Sequence, residues 1–406
     1  MELIPRSELT TEQIRAVELP SDQHRVMIGG PGSGKTQVLL HRANYLRRAM
    51  GIDDDGYYIL VFTRALKQYL RSACNLLDIN EGNIDTLDKW CFSYYRQRIS
   101  DEFPWNPETN TVHFARVRTE VREHLESQPG PPPYEFILVD EGQDLTAEAF
   151  DLIKLLGRHV TVCIDHKQQI YEHGSAEREI LQRLGLKRHN MSLLATYRCT
   201  PYIVDIASRL VQDPNHRQEF INQCCIKGSG REQPLMYVAR NIESEKIRLA
   251  EILRLRLGKG ERVAVLVPRK NQMYGFARGL SHLGFEVETK RDLDFTTNRP
   301  RVLTYQSAKG LTFDSVLMPR LVNTSFTRES GDLIERLLFV GITRAMNWVY
   351  LSSTDPYTLP ALGTIWGAAD NGSLAIQNDG EAGTVGHATP PTNNDPTPDD
   401  DLTGLL

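Results

Sequence analysis

The sequence has no apolar run approaching the ~18–20 residues that carry a helix across a bilayer, so no membrane span is expected. Paired cysteines are missing too. Cys74, Cys91, Cys163, Cys199, Cys224 and Cys225 are scattered without C-x-x-C spacing, which argues against a disulfide framework and a thiolate metal clamp. Buried thiols are the expected state. The opening segment lacks the apolar stretch of a signal peptide, and the expected compartment is the cytoplasm. Basic excess is also absent: 47 Lys and Arg stand against 52 Asp and Glu, a formal charge of −5. That balance is uneven along the chain. Residues 361–406 hold Asp370, Asp379, Glu381, Asp395, Asp399, Asp400 and Asp401 with no Lys or Arg, which leaves the first 360 residues at +2. A mildly basic body followed by an acidic tail keeps nucleic acid open as a partner.

What is present is a globular mix. Hydrophobic residues make up 40% and charged residues 24% of 406 positions, too apolar for a mostly disordered chain and long enough for two or three domains. Short, nearly continuous apolar strands are expected at His24–Ile28, Tyr57–Phe62, Phe136–Val139 and Val160–Ile164, with amphipathic helices at Val38–Met50 and Ala65–Leu77 between them. Strands that are apolar on both faces and separated by helices point to a parallel sheet covered on both sides. A second set follows at Leu235–Val238, Val263–Val267, Val302–Tyr305, Val316–Met318 and Val349–Leu351, with helices at Ile242–Leu257 and Leu333–Ala345. The expectation is two α/β domains in tandem, 1–190 and 191–360, then an acidic low-complexity tail over 361–406 whose last 20 residues read as disordered.

The strongest chemical signal is Gly29-Gly30-Pro31-Gly32-Ser33-Gly34-Lys35-Thr36, which fits G-x-x-x-x-G-K-[ST] between an apolar strand and a helix. Glycines let the backbone curl so that its N–H groups face phosphate, and the helix N-terminus adds partial positive charge. Lys35 suits the β- and γ-phosphates of a nucleotide, and the Thr36 hydroxyl suits Mg²⁺. The segment Phe136-Ile-Leu-Val-Asp140-Glu141-Gly-Gln143-Asp144 ends a buried strand on two acids. Asp140 is placed to support the metal, and Glu141 to take a proton from the attacking water.

Asp140-Glu-Gly-Gln-Asp144 resembles the D-E-x-Q-D box of superfamily 1 helicases of the UvrD/Rep type, and further matches follow in order. Leu9-Thr-Thr-Glu-Gln13 is similar to the family's adenine-reading glutamine motif, ahead of a phosphate loop that runs through Gln37. Leu60-Val-Phe62-Thr63-Arg64 resembles the first DNA-contacting motif. Ile164-Asp165-His-Lys-Gln168-Gln-Ile-Tyr171 resembles the box whose glutamine senses the γ-phosphate, and His173 stands where the family has a base-stacking Trp. In Thr196-Tyr197-Arg198 the resemblance implies an adenine-stacking tyrosine and an arginine finger. Tyr305-Gln-Ser307-Ala-Lys309-Gly310-Leu-Thr312 resembles H-S-x-K-G-L-E, and Arg336-Leu-Leu-Phe-Val-Gly-Ile-Thr343-Arg344 the last motif, with Arg344 a second finger.

The resemblance implies two tandem RecA-like domains, ATP and Mg²⁺ as cofactors, and single-stranded DNA or DNA ends as partner. It implies Gln13, Gly30, Gly32, Ser33, Gly34, Lys35, Thr36, Gln37, Tyr197 and Gly310 around the nucleotide. Phe62, Thr63, Arg64, Thr86, His173 and Ser307 are the implied nucleic-acid contacts. Departures temper the helicase reading. Only 47 positions separate Leu87 from Tyr134, where the family carries a large inserted subdomain. Leu87 and Asp88 follow Thr86 where the family has T-F-H, and Gln306 and Thr312 replace the family's His and Glu. A basic cluster at Lys246, Arg248, Arg254, Arg256, Lys259 and Arg262 is either a phosphate-binding surface or a solvated face. The tail, ending Asp399-Asp-Asp-Leu-Thr-Gly-Leu-Leu406, reads as a solvated end or as a peptide that docks on a partner protein.

Overall fold

The computed structural model describes residues 4–379 except 31, 108–109, 129, 166–174, 194–198, 225–231, 290–292, 296, 328 and 357. The chain divides into two compact units, residues 2–194 and the remainder from 195. The first unit contains β1 (Arg25–Gly29), β2 (Tyr57–Leu60), β3 (Ile84–Asp85), β4 (Trp105–Asn106), β5 (Thr111–Val112), β6 (Tyr134–Val139), β7 (Gly157–Ile164) and β8 (Met191–Leu193). Six of these form a parallel sheet in the order β3-β2-β6-β7-β1-β8, and β4 and β5 make a separate antiparallel hairpin. Val26, Ile137, Val139, Val160, Val162 and Ile164 bury completely against helices on the sheet, which is why these strands lack alternation in sequence.

Register is what builds the site. Ile28 pairs with Ile164, so the carboxyl ends of β1 and β7 lie side by side. Val139 pairs with Val162, which brings the end of β6 to the same carboxyl edge.

The second unit has β9 (Leu235–Ala239), β10 (Val263–Val267), β11 (Arg301–Thr304), β12 (Phe313–Met318), β13 (Ala345–Thr354) and β14 (Ala375–Asn378), all parallel in the order β11-β10-β12-β13-β9-β14. Val263, Val265, Val302, Leu317 and Tyr350 form its core. The architecture is two tandem RecA-like α/β domains with parallel sheets. Two boundaries differ from the sequence-based expectation. β8 lies past residue 190 yet pairs with β1, because a three-residue edge strand carries no readable period. Ordered structure also continues to Asp379 rather than stopping at 360: Leu374 and Ile376 are buried and β14 pairs with β9. Gly, Asn and Asp around those two apolar residues hid the strand. Residues 380–406, with most of the acidic tail, lie outside the described residues.

Between β3 and β6 the short segment folds as a helix (Leu87–Arg98), the β4–β5 hairpin and a second helix (Phe114–Ser127). Trp90, Cys91, Tyr95, Val117 and Val121 bury it into the first core. Cys74, Cys91 and Cys163 are buried free thiols, and burial, reinforced by the Asp88 charge, pushes the Cys91 thiol up to about 12. Among the described residues no helix is long and apolar enough to cross a membrane.

Candidate active site

The loop after β1 is shaped by two left-handed glycines, Gly32 (φ 83°) and Gly34 (φ 86°). A Cβ at Gly34 would also run into the Gln13 amide, so both backbone and space require glycine there. Gly34 caps the helix Lys35–Met50, leaving the first N–H groups of that helix aimed out of the loop. Gln13 is fixed by a reciprocal capping box: its backbone N–H donates to Thr10 Oγ1 at 3.2 Å, and its Oε1 accepts from the Thr10 N–H at 3.0 Å. Its Nε2 donates to the Ser33 carbonyl at 3.0 Å, which ties the glutamine to the loop. Gln37 sits a turn into the helix, and its Oε1 accepts from the Ile4 N–H at 3.3 Å.

Lys35 Nζ donates to the carbonyls of Gly29 at 2.8 Å and Gly30 at 3.1 Å, and reaches Asp165 Oδ2 at 3.1 Å. Burial opposes the lysine charge, but Asp165, Glu141 and Asp140 outweigh it and hold the ammonium above its ordinary pKa. Thr36 Oγ1 donates to Asp140 Oδ2 at 2.6 Å. Glu141 takes a left-handed backbone (φ 52°), unusual for a residue with a Cβ, and its Oε2 accepts from Gln143 Nε2 at 2.6 Å. The other end of the Gln143 amide accepts from the Asp165 N–H at 2.9 Å.

Asp165 and Gln143 thus join the site without having been singled out from sequence. The signal available was their place in the two acidic boxes. The contacts that give them roles span 130 and 22 positions.

Burial, with the neighbouring Glu141 charge acting in the same direction, raises the Asp140 carboxyl to about 6. A carboxyl raised in the fold adds stability below its unfolded value near 3.8, and that stability is lost as pH rises through about 6. Asp140→Asn mimics the protonated acid. It is expected to raise the melting temperature of the nucleotide-free protein at pH 7 by about 2–4 °C, while leaving it unchanged near pH 3.5. Thermal melts across that range check this, and an equal shift at both pH values would contradict it.

The residues present fit a magnesium nucleotide. Ser33 Oγ is buried with no hydrogen-bond partner, and Asp140, Glu141 and Asp165 all act on Lys35, so among the described residues acids outnumber the lysine they share. Among the described residues no three His, Cys, Asp or Glu side chains converge as a metal cage. Mg²⁺ at a phosphate loop does not need one, since it is held by one or two protein oxygens together with phosphate and water. Thr36 Oγ1 and the Asp140 carboxylate, 2.6 Å apart, would supply such oxygens.

In the second unit Ser307 Oγ accepts from Thr304 Oγ1 at 2.9 Å and is buried, while Gly310 turns in left-handed geometry (φ 79°). Arg344 lies beside that turn. Its Nη1 donates to the Leu311 carbonyl at 3.3 Å, its Nε to the Val340 carbonyl at 3.1 Å and its Nη2 to Thr343 Oγ1 at 3.2 Å. Of the expected nucleic-acid contacts, Phe62 is half-buried after β2. Thr63 and Thr86 cap helices, accepting from the Leu66 N–H at 3.1 Å and the Lys89 N–H at 3.3 Å. Arg64 opens a helix, and its side chain is outside the described set, as are Gln168, His173, Tyr197 and Arg198.

The basic cluster on the helix Ile242–Gly258 and beyond is not a free cationic face. Arg256 is buried over the Trp348 ring, its guanidinium 3.5 Å from the centroid, and pairs with Glu232 and Glu261. Lys259 pairs with Glu232, Arg262 with Asp314, Arg248 with Glu251 and Lys246 with Glu243. Arg254 donates to the Leu283 carbonyl and lies over Phe285. These charges are neutralised within their own domain.

A family described as an AAA domain matches residues 13–174, the stretch that holds Gln13, the phosphate loop and both acidic boxes. A protein named an ATP-dependent DNA helicase from Acanthamoeba polyphaga mimivirus is 21% identical over 384 residues, covering 85% of this chain and 53% of its own length. A probable DNA helicase from Mycoplasma pneumoniae is 28% identical over 239 residues, covering 54% of this chain and 43% of its own length. The chain therefore spans about half the length of the curated relatives it matches. A solved structure, the C-terminal domain of a possible DNA helicase from Lactobacillus plantarum WCFS1, aligns with 45% of this chain and 99% of its own at 19% identity and a TM-score of 0.35. The match over residues 13–174 and the two curated relatives support a UvrD/Rep-like helicase family for this chain.

Proposed function

We propose that the protein is an ATP-dependent DNA helicase or translocase that hydrolyses ATP to move on single-stranded DNA, in the 3′→5′ direction of its family. The observation that carries the reading is the assembly of Lys35, Thr36, Asp140, Glu141, Gln143 and Asp165 at one sheet edge. Lys35 and the loop N–H groups hold the β- and γ-phosphates, and Thr36 with Asp140 holds Mg²⁺. Mg²⁺ bound there would offset the charge that develops on the phosphate oxygens. Glu141 accepts the proton of the attacking water. Gln13 and Tyr197 hold adenine, Gln168 senses the γ-phosphate, and Arg198 and Arg344 are the arginine fingers. For Arg344 this requires exchanging backbone carbonyls for phosphate, which suits a guanidinium that engages only when nucleotide is bound. Phe62, Thr63, Arg64, Thr86, His173 and Ser307 line the DNA path.

The test is an ATPase titration with single-stranded DNA at low salt. Turnover is expected to rise with DNA, and turnover indifferent to DNA would overturn the motor reading.

A second reading is a DNA-sensing ATPase subunit that gates a partner effector and unwinds little. It is favoured by the small helix–hairpin–helix between β3 and β6, in place of a large inserted subdomain. Robust displacement of a duplex strand by the isolated chain would exclude it, and a preference for 3′-tailed substrates would fix the polarity.

A further inference from the structure

Arg42 lies two turns beyond Lys35 on the helix Lys35–Met50, hence on the same face, and is fully buried. Among the described residues no carboxylate pairs with it. Its Nε donates to Thr161 Oγ1 at 3.0 Å and its Nη2 to His159 Nε2 at 3.0 Å. Its Nη1 donates to two carbonyls, Val17 at 2.9 Å and Leu19 at 2.7 Å. Burial and the Arg42 charge push His159 down to about 3, which keeps that imidazole neutral and able to accept. Burying a guanidinium without a counter-ion is expensive, and an apolar side chain would pack there at lower cost. What the charge supplies is direction: one planar group fixes acceptors on β7 and on the chain leaving the N-terminal helix.

That helix, Thr11–Val17, carries Gln13. Val17 ends it and Leu19 follows, so Arg42 holds its C-terminal end. Ahead of the helix, Gln37 Oε1 accepts from the Ile4 N–H and His41 Nε2 meets the Ile4 carbonyl at 2.9 Å. The segment from residue 4 to 19 is therefore clamped at both ends by side chains of the phosphate-loop helix. Gln13 lies between the clamps, with its amide against Ser33. Each end of that amide has a second hydrogen-bonding position left: one N–H on Nε2 and one lone pair on Oε1.

We propose that Arg42 is a positioning residue for nucleotide choice: by locking Thr11–Val17 onto the phosphate-loop helix it aims the Gln13 amide at the adenine edge. Adenine offers a donor beside an acceptor, which one carboxamide matches, whereas guanine offers two acceptors. An amide that can tilt loses this discrimination. The inference rests on Gln13 as the base-reading side chain.

Steady-state kinetics with ATP and GTP on the full chain test it. Arg42→Lys, which keeps the charge but loses the fork, is expected to raise KM for ATP about tenfold with kcat within about twofold and KM for GTP unmoved. Gln13→Ala should lose the same preference, and Arg42→Lys should add nothing in the Gln13→Ala background. An intact ATP preference in Arg42→Lys beside a lost preference in Gln13→Ala overturns the positioning role. An intact preference in Gln13→Ala instead overturns the base-reading role on which it rests. If Arg42→Lys does not fold, Thr161→Val removes one acceptor behind the guanidinium. It should lower the preference about two- to threefold, and an unaltered preference there also overturns the proposal.

Discussion

Glu141→Gln is expected to lower ATP turnover by about 10²–10⁴-fold while leaving nucleotide affinity near that of the native protein. The side chain is held rather than free. Its Oε2 accepts from Gln143 Nε2 at 2.6 Å, and Gln143 is anchored in turn by the Asp165 N–H at 2.9 Å. A glutamine at 141 has the same length and can still accept from Gln143 through its carbonyl oxygen, so the geometry survives. Only the proton acceptor is lost. Removing the Glu141 charge also removes one cause of the raised Asp140 carboxyl, so Asp140 ionises more readily and metal binding is not weakened. Turnover and equilibrium nucleotide titration measured on the same preparation check both halves. Turnover within tenfold of the native value would mean that another group takes the proton.

The left-handed backbone at Glu141 belongs to the same argument. A Cβ-bearing residue at φ 52° stores on the order of 1 kcal/mol of strain. It is retained in the turn directly after β6, where the carboxylate accepts from Gln143.

The glycine loop and the acidic end of β6 were legible because their chemistry is local: consecutive residues bend one turn or end one strand. What joins them was not. Lys35 finds Asp165 130 positions away, because the pairing of Ile28 with Ile164 sets β1 and β7 side by side, and no window of sequence contains that register. The capping box that fixes Gln13 was present in the letters Thr10 to Gln13. The clamp by Arg42 was not, since its acceptors sit on β7 and beyond the N-terminal helix. The basic residues of the second domain were likewise decided only by the fold. In sequence they read equally as a phosphate-binding surface or a solvated face, whereas Glu232, Asp314 and the Trp348 ring come from elsewhere in the fold to neutralise or cover several of them. Short edge strands such as β8 and β14 escape because three or four residues cannot show a period.

Lys35→Ala is expected to abolish turnover, by more than about 10³-fold, and to destabilise the nucleotide-free protein as well. The first effect follows from the proposed role of Lys35 as the cation that meets the transferred phosphoryl group. The second follows from what the lysine does here without nucleotide. Its ammonium satisfies the Gly29 and Gly30 carbonyls and pairs with the buried Asp165 side chain. Removing one partner of such a pair costs about 3–5 kcal/mol, a drop in melting temperature on the order of 10 °C for a domain of this size. Asp140 loses the same compensation, so its already raised carboxyl moves further upward. A carboxyl raised in the fold destabilises it above its folded pKa and not below its unfolded one. The deficit of Lys35→Ala is therefore largest near pH 7 and shrinks as the pH falls toward about 4. The lysine's own raised pKa works in another window, since its contribution fades only as pH climbs past the ordinary lysine value of 10.5. Adding Asp165→Asn separates the two effects. The double variant should regain part of the lost stability, because one acidic charge of the site is gone, and none of the lost turnover. Recovery of both would mean that Lys35 acts by holding the loop together rather than by meeting phosphate, whereas recovery of neither would remove the Lys35–Asp165 pair from the account of the fold.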